Sequence, residues 1–105
     1  MTTTPVIHPV TVDFDSSNQN WSHEKSYTDL FLRASENYVN SLLDVNGFVV
    51  LNEVLDQLGI PRSADGINSG WVKSHGRINF RTDHQPDKIT LTFYVQDNIS
   101  EAVKD

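Results

Sequence analysis

Residues 89–95, Ile89-Thr90-Leu91-Thr92-Phe93-Tyr94-Val95, alternate apolar and polar or amphipathic side chains without a break. Successive side chains of a strand point to opposite faces, so Ile89, Leu91, Phe93 and Val95 line one face, and this is the strand of a sheet with one buried side. Working back along the chain, Thr82-Asp83-His84-Gln85-Pro86-Asp87 reads as a polar loop, and Ile78 and Phe80 as inward residues of a preceding strand. A turn at Ser74-His75-Gly76 separates these from a short strand at Trp71-Val72. Pro61, Ser63, Gly66 and Gly70 make the connection before it.

The first half of the chain carries the helices. Tyr27, Leu30, Phe31, Ala34, Tyr38 and Leu42 recur at the spacing of one helical face, which predicts a long amphipathic helix burying that stripe. Ser26 or Ser22 is the expected cap, and Asn46-Gly47 the stop. Phe48-Val49-Val50-Leu51 leans towards strand, and Asn52 is placed to cap a second short helix that buries Val54, Leu55 and Leu58 and ends at Gly59. Val10, Val12 and Phe14 alternate as a further strand, with Pro5 and Pro9 confining anything earlier to an edge. The sum is one α+β domain spanning 1–105, an antiparallel sheet of three to four strands with one long and one short helix packed on one face. Residues 1–9 are expected to form an arm, 10–97 the folded core and 98–105 a tail.

Composition removes several function classes. The chain has 105 residues, too few for separate cofactor and substrate domains. It has no cysteine, so disulfides, thiolate metal sites and Cys nucleophiles are excluded. With 8 Lys+Arg against 14 Asp+Glu, a formal charge of −6, direct binding to nucleic acid is not expected. No stretch is apolar enough to span a bilayer, and the N-terminal ten residues have no signal-peptide pattern, so a cytoplasmic location is expected.

The sequence offers no assembled chemistry. His8, His23, His75 and His84 have no metal-ligand spacing. Asp13 and Asp15 could bracket a cation but lack a third ligand, and Asp83, His84 and Asp87 fall in the expected loop with no pocket around them. Gly66-Ile67-Asn68-Ser69-Gly70 misses the nucleophile-elbow pattern by one position. No catalytic, cofactor-binding or metal residues are assigned, and no enzyme activity is expected. Three aromatics are candidate interface residues. Trp21, in a polar loop before the helix, is the better of the two tryptophans, although a staple against the first helical turn explains it equally well; Trp71 reads first as the anchor of the Gly-rich connection in the core, and Tyr38 sits on the long helix.

Glu36-Asn37-Tyr38-Val39-Asn40, the run from Leu51-Asn52-Glu53-Val54 through Gly59-Ile60-Pro61-Arg62, and Gly70-Trp71 together carry a resemblance. The chain from about Val10 to Asp97 resembles a family of small proteins encoded mainly by tailed phages and prophages, a domain of unknown function. It departs from that pattern at Ser69, where an apolar residue is usual, and in having no N-terminal membrane segment. The resemblance implies a setting rather than an activity: a phage or prophage protein, in the host bacterial cytoplasm or the virion, that works by contact with other protein subunits. Two roles are expected to compete. One is a virion component of head, connector or tail, present as a homo-oligomer or in many copies; the other is a small acidic inhibitor of a bacterial defence or nucleic-acid enzyme.

Overall fold

The computed structural model describes residues 7–97 and Ile99, apart from the side chains of Asp65 and His75. Within them the order is β1 (Ile7–Asp15), α1 (Lys25–Asn46), β2 (Phe48–Val50), α2 (Leu51–Leu58), β3 (Gly70–Val72), β4 (Arg81–His84) and β5 (Lys88–Gln96), with single 3-10 turns at Ala64–Ile67 and Lys73–His75. All strand pairings are antiparallel. The α+β expectation holds, with five strands among the described residues rather than three to four.

β5 is the axis of the sheet. On one side β1 pairs with it from Ile7↔Gln96 to Asp15↔Lys88. On the other side β4 runs beside its first half and β3 meets it at Gly70↔Gln96, with β2 outside β3. The alternation of β5 is realised: Ile89, Leu91, Phe93 and Val95 are all buried, while Tyr94 is half exposed on the opposite face. The buried row joins Phe14, Val49, Trp71, Ile78 and the inward residues of both helices in a single core.

Four features differ from the sequence reading. β1 starts at Ile7, so part of the expected arm belongs to the sheet. Arg81–His84, whose last three residues fall in the expected polar loop, is strand β4, held by the backbone of β5 and exposed along its length. Its counterpart expected around Ile78 and Phe80 has no ladder, yet Ile78 is buried and Phe80 packs on the core. At the other end the expected tail contains Ile99, which is 1% exposed and whose N–H donates to the Asn68 carbonyl at 3.0 Å. The arm through Val6 and the tail residues Glu101–Asp105 lie outside the described residues.

The helix ends show which polar residues set them. α1 starts at Lys25 after Glu24, and neither Ser26 nor Ser22 caps it in the ordinary way. Instead the Thr28 hydroxyl donates to the Ser22 carbonyl and accepts from the Ser22 N–H, both at 3.1 Å, folding the incoming loop onto the first turn. Gly47, at φ 85°, ends the helix and donates its N–H to the Leu43 carbonyl. Asn52 is not the cap of α2. It lies inside the helix, accepts the Ser63 N–H at 2.9 Å and donates to the Ser63 carbonyl at 3.1 Å, clamping the chain that returns after Gly59. The start of α2 is closed by Glu53, whose carboxylate accepts the Val50 N–H at 3.3 Å.

The Gly70-Trp71 pair has a packing reason. A Cβ on Gly70 would collide with the Val49 carbonyl oxygen and lie 2.8 Å from the Val50 Cα, so only glycine lets β3 approach β2 this closely. Trp71 can then reach the core, where its ring meets Phe93 edge-on at 6.1 Å. Gly70→Ala should therefore cost about 2–3 kcal/mol through strand separation, measured by urea unfolding; an unchanged midpoint would show that β2 and β3 are not so tightly apposed.

Candidate interaction surface

The long helix is where sequence and structure part most informatively. The residues that α1 buries are Thr28, Leu32, Ser35, Val39, Asn40 and Leu43. That is a stripe parallel to the expected one and displaced by one residue, a rotation of about 100°. The expected stripe faces outward: Tyr27 is 65% exposed, Leu30 61% and Tyr38 50%, and Val45 extends it at 83%. Phe31 and Leu42, on its inner margin, are half-buried against the core.

The inward stripe is the less apolar of the two because it meets backbone. Asn40, 3% exposed, accepts the Ile78 N–H at 2.8 Å and donates to the Ile78 carbonyl and the Glu36 carbonyl, each at 2.9 Å. One turn earlier the Glu36 carboxylate accepts the Phe80 N–H at 2.8 Å. These two side chains hold residues 78–80, which have no strand partner, at the correct height over α1. Buried backbone must be paired with something, and here α1 supplies the partners. The Glu36–Asn40 stretch is thereby a structural clamp.

The three candidate interface residues fall in different environments. Trp71 is 8% exposed and belongs to the core. Trp21 is half-buried, its ring 5.8 Å from Phe14, which in turn stacks on Phe31 at 5.8 Å. Tyr38 lies on the outward stripe with Tyr27, Leu30 and Val45. This stripe runs from Tyr27 to Val45, roughly 27 Å at the rise of an α-helix. Of the side chains beside it on the solvent side, Arg33 and Asp44 are charged, while Ser26, Asn37 and Ser41 are neutral.

On the other flank of α1 lies a concavity of about 340 Å³ bounded by Asp29, Leu32, Arg33 and Glu36 and by Thr82 and His84 of β4. His84 Nε2 stands 3.0 Å from Asp29 Oδ1, a contact between residues 55 apart that the sequence did not suggest. Asp83 and Asp87 are not part of it. The pair ties the exposed strand β4 to the helix, and Glu36 is already committed to the Phe80 N–H. Of the other polar candidates, His8 lies 3.4 Å from Asp97, and Asp13 lies 3.5 Å from Lys88. Asp15 accepts from the Ser17 hydroxyl and N–H, which holds its carboxyl below the usual range. The Asp56 carboxyl is likewise held low, chiefly by hydrogen bonds from Arg62 at 2.6–3.2 Å. Each of these contacts fastens a turn or a neighbouring strand, and among the described residues no cluster of three metal-ligating side chains forms. The side chain of His75 lies outside the described residues. No helix among them is long and apolar enough to cross a membrane.

The sequence profile of a family of unknown function (DUF6353) matches residues 2–103, nearly the whole chain. The chain belongs to that family. No curated protein and no solved structure is significantly similar to it. In this member of DUF6353 the sequence signal that could have located the surface was present: two parallel stripes compete on α1, and the tyrosines at 27 and 38 are residues that tolerate water at one end and apolar contact along the ring.

Proposed function

We propose that this is a phage or prophage protein that acts through protein–protein contacts, most directly as a component of the virion head, connector or tail. The observation that carries this reading is the outward apolar stripe of α1. A helix that shows three large apolar or aromatic residues and a valine to solvent along five turns presents the kind of surface that binds another protein, whereas isolated exposed apolar residues need no explanation. The resemblance of its Glu36–Asn40, Asn52–Arg62 and Gly70-Trp71 motifs to those of tailed-phage proteins supports the same reading.

The test is quantitative mass spectrometry of purified particles from a lysogen or phage carrying the gene. The chain is expected at a fixed copy number per particle, in multiples set by the symmetry of head or tail. Its absence from particles, with abundant expression in the infected cell, would remove the virion reading and leave the acidic, host-directed inhibitor as the surviving role.

A further inference from the structure

We propose that the partner of the α1 stripe is a second copy of this chain, the two helices packing antiparallel about a two-fold axis near Glu36. This deepens the protein-contact reading above and rests on it. In an antiparallel pair centred there, Tyr27 of one copy stands opposite Val45 of the other, Leu30 opposite Leu42, and Ala34 opposite Tyr38. Each tyrosine ring thus meets a smaller side chain, as interdigitated helix packing requires. Tyr27, Leu30, Ala34, Tyr38 and Val45 are all exposed, and Leu42 is half-buried on the same margin.

Charge also favours a second copy over a partner of different character. A chain of −6 repels its own kind over most of its surface, so two copies can meet only where acidic residues are sparse. The exposed side of α1 is such a place, carrying one charge of each sign, Arg33 and Asp44, across its middle and last turns. A basic partner would find no row of carboxylates along this stripe to recognise. The strip is about 27 Å long and roughly one helix wide, well short of the ~800 Å² per partner of a stable complex, so the pair is weak when free in solution. Copies held side by side in an assembly would bind much more strongly through effective concentration.

The experiment is sedimentation of the full chain from low micromolar to several hundred micromolar. The apparent mass is expected to rise reversibly towards that of two chains across this roughly hundredfold range. Tyr38→Arg should remain at the mass of one chain throughout, with Leu30→Arg as an independent second variant at another exposed position. Thr11→Arg, on the exposed sheet face, should self-associate like the parent. Circular dichroism of each variant checks that it is folded. A parent chain that stays monomeric at every concentration overturns the pairing, as does a folded Tyr38→Arg and Leu30→Arg that associate normally. If the parent is monomeric while the chain is still found at fixed copy number in particles, self-pairing fails and the protein-contact reading stands with a different occupant on α1.

Discussion

Asn40→Ala should lower the free energy of unfolding by about 3 kcal/mol, more than most polar-to-alanine changes on a helix. The reason is that the side chain serves two buried groups of one residue, the N–H and carbonyl of Ile78. Truncation leaves both facing a dry interior, and each unmade buried hydrogen bond costs about 1–3 kcal/mol. Asn40→Asp should not recover the loss at neutral pH, since a buried carboxylate can accept from the Ile78 N–H but sets a charged oxygen against the Ile78 and Glu36 carbonyls that Asn40 donates to. Denaturant unfolding of the two variants measures both effects. A loss below about 1 kcal/mol for Asn40→Ala would mean that residues 78–80 are held by something other than α1.

Phe93→Ala should be the costliest single truncation in the sheet, at about 4 kcal/mol. The residue is fully buried on β5, the strand that every other part of the sheet but β2 touches, and its ring is gripped edge-on by Phe80 at 5.3 Å and Trp71 at 6.1 Å. Removing it opens a cavity among aromatic neighbours that cannot readily collapse, the regime in which Phe→Ala changes cost 3–5 kcal/mol. The adjacent Tyr94→Ala, on the half-exposed face, should cost under about 1.5 kcal/mol. Thermal and denaturant unfolding of the pair tests the strand's orientation. Equal losses at 93 and 94 would show that β5 does not bury one face selectively.

The sheet was legible because its central strand obeys a single rule. In β5 the period of two is carried by large apolar residues at every second position, and no second alternation competes with it. Strand β4 was missed for the opposite reason. Arg81-Thr82-Asp83-His84 has no apolar face to bury, and its strand geometry comes from the backbone of β5, which local sequence does not encode. The helix α1 was recognised but rotated. Two stripes one residue apart satisfy the same period, and apolarity favours Tyr27, Leu30, Phe31, Ala34, Tyr38 and Leu42 over Thr28, Leu32, Ser35, Val39, Asn40 and Leu43. What decides between them is tertiary: the inner stripe must pair the backbone of residues 78–80 and receive Ser22, tasks for Asn40 and Thr28 rather than for aromatic rings. The more apolar stripe is thereby left on the surface, and with it the candidate site.

Because the chain has no native cysteine, that arrangement can be read from one labelling measurement. Tyr38→Cys and Leu32→Cys place single thiols on the two stripes, and their reaction rates with a soluble thiol reagent, compared at low protein concentration and below denaturing conditions, report which face of α1 meets water. The cysteine at 38 should react close to the rate of an unstructured peptide and the one at 32 at least roughly a hundredfold more slowly, since it is reached only when the helix opens. A protected thiol at 38 together with a freely reactive one at 32 would place the aromatic stripe in the core and remove the surface on which the proposed function rests.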